Sequence, residues 1–406
     1  MLEGSFTASA MARIVIVGGG FAGLFTALGL EAYPFKDERP EILLIDRSER
    51  FVFSPLLYEL VSGELATWEV APRFDELLEG TRVRFVQAEA MGFDFENRIV
   101  KLAGGGAESY DRLALTVGGS TPVDIVPGAR EHALPFRTLE DAQALIARLK
   151  AALDAGADPV RAALVGAGAS GVELACKLAD TLGDKGSIVL FDRAADILAE
   201  FDAPERKMAR AELEKRRVRL GLSTKILSVS DAGLQVETAG RGVEAIPAEV
   251  VLWTVGTAVP GLIKDLDLPK GPGGRLAVEP TLQVQGHPEI FALGDLAASL
   301  DAGGKPLGPS AQLAFQQAGY CAWNLWASLS DRPLLAFRYN ALGKLLGLGI
   351  DSGVASLLGT AVGGPPAYLI RRLAYLYRMP TDAHRLKVAL HWASRPVVRW
   401  LGGAAP

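Results

Sequence analysis

The chain has 406 residues, enough for two or three domains with substantial cores, and its 45 glycines suit the turns and close helix–sheet packing of an α/β protein. A formal charge of −5 gives no reason to expect a nucleic-acid partner. Its two cysteines, Cys176 and Cys321, form no CxxC pair, which leaves a disulfide scaffold, a zinc ribbon and a redox-active dithiol without support.

Residues 1–10 form a small, polar stretch that reads as an alternative start or an appended segment rather than a targeting peptide. The first motif follows. A short apolar run at 13–17 meets Gly18-Gly19-Gly20-Phe21-Ala22-Gly23, which opens an Ala/Leu-rich helical stretch, and a second apolar run ends in Asp46. This is a βαβ unit with a dinucleotide fingerprint. Gly18 permits the tight turn, Gly20 lets backbone approach a pyrophosphate, and Gly23 lets helix pack on strand. The helix N-terminus offers N–H groups and partial positive charge to phosphates. Asp46 is placed to accept both ribose hydroxyls.

The segment Phe53-Ser54-Pro55-Leu56-Leu57-Tyr58 is too apolar and too Pro-broken for a plain surface loop. Residues 82–102 alternate apolar and polar, which predicts antiparallel strands turned at Glu96-Asn97. A further strand ends in Thr116-Val117-Gly118.

The same order of elements then repeats. Residues 161–165 meet Gly166-Ala167-Gly168-Ala169-Ser170-Gly171, a helix follows, and the run 187–191 ends in Asp192. A charged helix around 203–217 and strands through Glu237 lead to a strand ending in Thr254-Val255-Gly256. Two complete units, each closing on Thr-Val-Gly, predict two related dinucleotide domains. Asp192 favours NADH, because a carboxylate repels a 2′-phosphate, whereas the adjacent Arg193 suits that phosphate; the two residues disagree, and the nucleotide stays open. Glu173 lies one turn into the second helix, where an acid suits the macrodipole and Lys177 at i+4 offers an ion pair.

Phe291-Ala292-Leu293-Gly294-Asp295 reads as a short buried strand meeting a Gly-Asp turn, and 310–329 as a helix carrying Gln312, Gln316 and Gln317. Residues 345–370 read as turns and strands, so no run spans a membrane. Two basic amphipathic helices are predicted at the end, at 365–379 and at 382–395 with Thr381 as N-cap. Residues 365–406 hold seven Lys/Arg and one acid, a net +6 against −11 for the remainder. These cations flank Tyr368, Tyr375, Tyr377, Trp392 and Trp400, a pairing that suits an anionic membrane interface. The four histidines are scattered, and no catalytic triad, HExxH or metal-spaced cluster is present.

With these motifs in place the chain resembles the type-II NAD(P)H:quinone oxidoreductases, single-subunit, non-pumping flavoproteins. The resemblance rests on the two glycine turns, Phe53-Ser54-Pro55-Leu56-Leu57, both Thr-Val-Gly ends, Phe291-Ala292-Leu293-Gly294-Asp295 and Ala311-Gln312-Leu313-Ala314-Phe315-Gln316-Gln317. The run 51–60 and Tyr377-Arg378-Met379-Pro380-Thr381 are most similar to the plant and cyanobacterial branch, whose implied acceptor is the naphthoquinone demethylphylloquinone.

The implied fold is α/β, with two Rossmann-like domains of the pyridine nucleotide-disulfide oxidoreductase type, no dithiol, and a C-terminal amphipathic segment. The implied division is 11–125 with 282–364 for FAD, 126–281 for NAD(P)H, and 365–406 for membrane contact. FAD then sits on Gly18, Gly20 and Gly23, with Asp46 on its adenosine ribose and Gly294-Asp295 at its ribityl–phosphate region. NAD(P)H sits on Gly166, Gly168 and Gly171, with Asp192 and Arg193 on its ribose. Pro55, Gly256, Ala311 and Gln312 add cofactor contacts. Glu173 aids proton delivery, and Gln316 and Gln317 hydrogen-bond a quinone carbonyl. The resemblance further implies a membrane quinone of the naphthoquinone or plastoquinone class as partner and peripheral, monotopic attachment facing the cytoplasm or a stroma-like compartment, and allows a homodimer. The rival reading is a flavin-bound NAD(P)H sensor or scaffold with little quinone turnover.

Overall fold

The structure, a computed structural model, describes residues 11–35, 39–238, 240–357 and 359–400, with side chains up to Ser394; residues 1–10 lie outside the described residues. β1 (Arg13–Val17) runs through the first glycine turn into α1 (Phe21–Leu30) and β2 (Glu41–Asp46). Two single-turn helices follow, α2 (Tyr58–Val61) and α3 (Thr67–Val70), then β3 (Val83–Gln87) and β4 (Arg112–Leu115). The second motif is built alike, from β5 (Val160–Val165), α4 (Ala169–Leu182), β6 (Gly186–Phe191), β7 (Arg219–Gly221) and β8 (Val250–Trp253). β9 (His287–Ala292) and the long α5 (Ala311–Leu329) come next. A meander of β10 (Lys344–Gly347), β11 (Gly353–Leu357) and β12 (Thr360–Gly363) leads to α6 (Pro365–Arg378) and α7 (Asp382–Trp400).

Backbone contacts divide the described chain into two units. The first comprises the chain up to Phe51, Arg73–Gly119 and Val259–Tyr339. Its sheet runs in the order Gln283–Val284, β9, β4, β1, β2, β3, with only the first pairing antiparallel. The central strands are apolar without alternation because both their faces are covered. Val15, Val17, Leu43, Ile45, Leu113, Leu115 and Ile290 fill one side. On the first unit's helices, small residues permit close approach: a Cβ on Gly29 of α1 would stand 3.0 Å from the Ala322 Cβ of α5. The alternation over 82–102 resolves into two structures. β3 is an edge strand, parallel to β2, and only Ala90–Asp94 and Ile99–Leu102 form the antiparallel hairpin around Asn97. In β3, Val86 packs on the core and Phe85 stacks on Phe74, while Arg84 and Gln87 are exposed.

The second unit comprises Val52–Pro72, Ser120–Ala258 and the chain from Asn340. Its parallel sheet has the order β7, β6, β5, β8, Leu134–Pro135. A three-stranded antiparallel sheet, Thr224–Ser230, Gly233–Thr238 and Gly242–Pro247, contributes Ile226, Val229, Leu234 and Val236 to a core around buried Trp253. The division by contacts differs from the expected one at 52–72, 120–125, 259–281 and 340–364, and it joins 365–406 to the second unit. Leu276–Ala277 pairs with Ala297–Ala298, which draws 259–281 into the first unit. The meander is fixed in the second unit, where the Gly347 N–H donates to Glu173 and the Ile350 N–H to Asp180.

Candidate functional site

The two glycine turns are held by the same device. At the head of β1, Gly18 has φ +105°, and a Cβ there would lie 2.6 Å from the Thr116 backbone; a Cβ on Gly23 would lie 1.8 Å from the Gly18 carbonyl oxygen. At the head of β5, Gly166 has φ +107° and a Cβ on Gly171 would lie 1.8 Å from the Gly166 oxygen. The Thr116 hydroxyl stands 2.8 Å from both the Val17 and Gly18 carbonyl oxygens, and the Thr254 hydroxyl 2.9 and 3.1 Å from those of Val165 and Gly166. The threonine of each Thr-Val-Gly strand end therefore clamps the neighbouring turn, a role the motif alone did not disclose.

The middle glycines differ. Gly20 and Gly168 have ordinary φ of −70° and −74°, and a Cβ on either meets nothing within 4 Å. Among the described residues no packing requires glycine there, and no side chain caps α1 or α4. Open space in front of uncapped N–H groups fits a dinucleotide pyrophosphate at each turn. Asp46 accepts from Gly19 N–H (2.5 Å) and Ser48 N–H (2.8 Å); Asp192 accepts from Ala167 N–H (2.6 Å) and Ala194 N–H (2.8 Å). Each carboxylate thus braces its turn with one lone pair per oxygen and keeps the others for a ribose. Arg193 is exposed, and Gly256 takes φ +74° where β8 ends.

In the first unit, Gly294 takes φ +78° and Asp295 sits half-buried in the turn that follows. Gln317 differs from expectation. It is fully buried, its Oε1 accepts from Gly294 N–H (2.7 Å) and its Nε2 donates to the Ser299 hydroxyl (2.7 Å). Its amide braces the Gly294 turn rather than presenting itself to a quinone carbonyl; Gln316, one position earlier, is half-buried. Ser310 caps α5 through its hydroxyl, putting Ala311 at the first helical position. Gln312 accepts from the Tyr339 hydroxyl (3.3 Å), while its Nε2 is buried with no hydrogen-bond partner among the described residues. That spare donor suits an acceptor on a bound flavin.

The sequence profile of the pyridine nucleotide-disulphide oxidoreductases matches residues 12–318. The chain belongs to this family. Demethylphylloquinone reductase NdbB of Synechocystis is 46% identical over 96% of this chain and 97% of its own. The alternative NAD(P)H-ubiquinone oxidoreductase C1 of Arabidopsis thaliana is 39% identical over 95% of this chain and 81% of its own. The solved structure of NDH2 from Plasmodium falciparum in complex with NADH superposes with a TM-score of 0.85, covering 97% and 99% of the two chains; at 18% identity this is a likeness of fold. Within the pyridine nucleotide-disulphide oxidoreductases this chain lacks the dithiol that the name implies. Cys176 and Cys321 are both buried and free, and burial pushes each thiol up to about 12.

The second unit of this family member also holds a buried charge cluster that sequence reading found only in part. Glu173 does not pair with Lys177. Its Oε1 accepts from Gly347 N–H (2.6 Å) and faces Arg371 Nη2 (3.3 Å), and burial pushes its carboxyl up to about 7. Lys177 pairs with Glu64 instead and lies 3.8 Å from Glu59. Arg371, expected among the surface cations of the tail, is buried against Glu59 (2.5 Å) and donates to the Pro55 carbonyl (2.7 Å). Pro55 thus appears here as a backbone acceptor. The one signal in the sequence is that the apolar run 51–72 carries three acids, Glu59, Glu64 and Glu69, and no Lys or Arg.

The tail helices turn their apolar stripe outward. Leu369, Leu373 and Tyr377 of α6 are 58, 56 and 75% exposed, and Leu386 and Leu390 of α7 are 60 and 62% exposed. Polar groups face inward: His384 lies 3.1 Å from the Glu69 carbonyl, and Trp392 Nε1 donates to Glu69 (2.7 Å). Several tail cations are already engaged. Arg372 stacks on Trp392 at 4.0 Å, Lys387 on Trp68 at 4.8 Å, and Arg385 pairs with Asp382 at 2.9 Å. Among the described residues no helix is long and apolar enough to cross a membrane.

Proposed function

We propose that this chain transfers two electrons from NAD(P)H, bound at the turn 166–171, by way of FAD, bound at the turn 18–23, to a membrane quinone of the naphthoquinone class such as demethylphylloquinone. The observation that carries the reading is the pair of turns in which Gly20 and Gly168 face open space at uncapped helix starts, twice over in one chain. The 46% identity to a demethylphylloquinone reductase supports the acceptor, and the missing dithiol favours direct reduction over a cysteine relay.

A bound flavin supplies the redox chemistry, accepting hydride from nicotinamide and reducing the quinone. The chain supplies the rest. The N–H groups heading α1 and α4 hold the two pyrophosphates, and Asp46 and Asp192 hold the riboses. Gln312 Nε2 and Asp295 orient the flavin, with Gln317 keeping the Gly294 turn in shape. Glu173, poised near neutrality, holds a proton for a quinone oxygen. Leu369, Leu373, Tyr377, Leu386 and Leu390 seat the protein on the bilayer from which a lipid-soluble quinone must come.

The assignment of the turns is tested by Gly168→Val and Gly20→Val. The first should abolish reduction by NAD(P)H while FAD stays bound, and the second should lose FAD. The opposite pattern, read from flavin absorbance of the purified variants, reverses the assignment.

A further inference from the structure

Helix α6 carries two sets of side chains on opposite faces. Leu369, Leu373 and Tyr377 point outward, and Arg371 points inward, 1% exposed. Its guanidinium meets Glu59 through Nη1 (2.5 Å), and through Nη2 meets the Pro55 carbonyl (2.7 Å) and Glu173 Oε1 (3.3 Å). The Tyr375 ring lies 4.9 Å from its Cζ. The neighbouring strand leaves room for this pair: a Cβ on Gly347 would stand 3.1 Å from Arg371 Cζ and 3.2 Å from Glu173 Oε1. Lys177 is committed to Glu64 and Glu59, and the other Glu64 oxygen accepts from the Tyr368 hydroxyl (2.8 Å). Three carboxylates, Glu59, Glu64 and Glu173, therefore share two cations, Lys177 and Arg371.

We propose that Arg371 is a positioning residue for Glu173, so that α6 does two separable jobs: its outer face meets lipid and its inner face completes the carboxylate site. The inference rests on the role proposed above for Glu173. One proton on the cluster balances its charges. Glu59 is held low by Arg371 and Lys177, and Glu173 is the carboxyl that burial raises, so the proton resides there. The groups facing Glu173 are Tyr58 and Glu59 from α2, Cys176 and Lys177 from α4, the Gly347 N–H from β10, and Arg371 and Tyr375 from α6. Arg371 is the strongest of these in opposing the rise. Without it, Glu173 keeps its burial and loses its main counter-charge, so its titration moves to higher pH.

The test uses the flavin-loaded protein and follows the infrared band of the protonated Glu173 carboxyl, assigned by its loss in Glu173→Gln, against pH. The wild type should show a midpoint at about 7. Arg371→Met should raise it by about one pH unit or more, and Arg371→Lys should keep it within about half a unit of wild type. Glu59→Gln, which removes a negative neighbour and leaves Arg371 in place, should lower it. The double variant Leu369→Ser/Leu373→Ser should leave it unmoved. Co-sedimentation with phosphatidylcholine vesicles should give the reverse pattern: intact binding for Arg371→Met, and about tenfold weaker binding for the double variant. An unmoved midpoint in Arg371→Met, or in Glu59→Gln if that variant alone is obtained, overturns the proposal. So does a double variant that shifts the midpoint as far as Arg371→Met. Reoxidation by menadione on the same proteins tests the underlying reading separately. If the midpoints move as expected and quinone reduction does not change with them, the role of Glu173 fails while the positioning by Arg371 stands.

Discussion

At Gly168 the fold asks nothing of a glycine, and at Gly171 it asks for nothing else. This contrast separates a ligand requirement from a folding requirement three residues apart. Gly168→Val should melt within about 1 kcal/mol of wild type yet lose reduction by NAD(P)H. Gly171→Ala, whose Cβ would meet the Gly166 oxygen at 1.8 Å, should be destabilised by about 3 kcal/mol or more. Thermal melts and steady-state kinetics on the two variants check both statements. Glu173 gives a pH prediction. Its folded value of about 7 lies above the ordinary 4.5, so between these values the folded chain holds a proton that the unfolded chain has lost. Its contribution is most favourable below about pH 4.5, falls as pH rises, and levels above about 7. At about 1.4 kcal/mol per unit the fall is at most about 3–4 kcal/mol. Glu173→Gln should remove that slope, melting higher than wild type at pH 8 while slowing quinone reduction. A variant that melts lower at pH 8 contradicts the buried, proton-holding reading. The glycines were legible in sequence because each has a fixed geometric job. Gln317 was not, because an amide in an Ala-Gln…Gln-Gln helix reads alike whether it faces a ligand or, as here, a neighbouring turn.

The strand ends show what a motif conceals at the level of elements. Thr-Val-Gly was visible twice, yet only the hydroxyl geometry shows that Thr116 and Thr254 each clamp a glycine turn. Thr254→Val preserves shape and removes the clamp. It should cost about 1–2 kcal/mol and raise the KM for NAD(P)H while FAD occupancy holds, since Thr116 serves the other turn. Loss of FAD in this variant would show that the two clamps do not act locally. In the tail, helical periodicity correctly gave two amphipathic helices but could not say which way each face points. The apolar stripe lies outward, and Arg371, one of the seven cations that suggested an anionic surface, lies inward. Others are stacked on Trp392 and Trp68. The proposed attachment is therefore by apolar side chains. Binding to zwitterionic vesicles should persist at about 0.5 M salt, where the Debye length falls to roughly 4–5 Å and exposed charge attraction fades. Binding that requires anionic lipid and vanishes in salt would restore the electrostatic reading.

Across the whole molecule, the duplicated βαβ order was readable because hydrophobic runs, glycine spacing and a terminal acid all agree in both halves. The stretches 259–281 and 340–364 were less readable. Their place depends on contacts far apart in sequence, such as Leu276 with Ala297 and Gly347 with Glu173. The same holds for the cluster of Glu59, Glu64, Glu173, Lys177 and Arg371, which draws on three separate stretches of chain. A tail that completes this cluster has a structural part besides its proposed one at the membrane. Deleting 365–406 should therefore destabilise the protein as well as release it from vesicles, whereas serines at Leu369 and Leu373 should only release it.

Rapid-mixing spectroscopy distinguishes electron transfer from two bound dinucleotides straight to a quinone from transfer through a cysteine. The purified protein is mixed first with NADH or NADPH and then with a benzoquinone or a naphthoquinone, with absorbance followed at each stage. Bleaching by at least one nucleotide should be fast and recovery with the naphthoquinone rapid, both unchanged after thiol alkylation. A bleached state that persists in the presence of every quinone, or recovery abolished by alkylation, would contradict direct transfer.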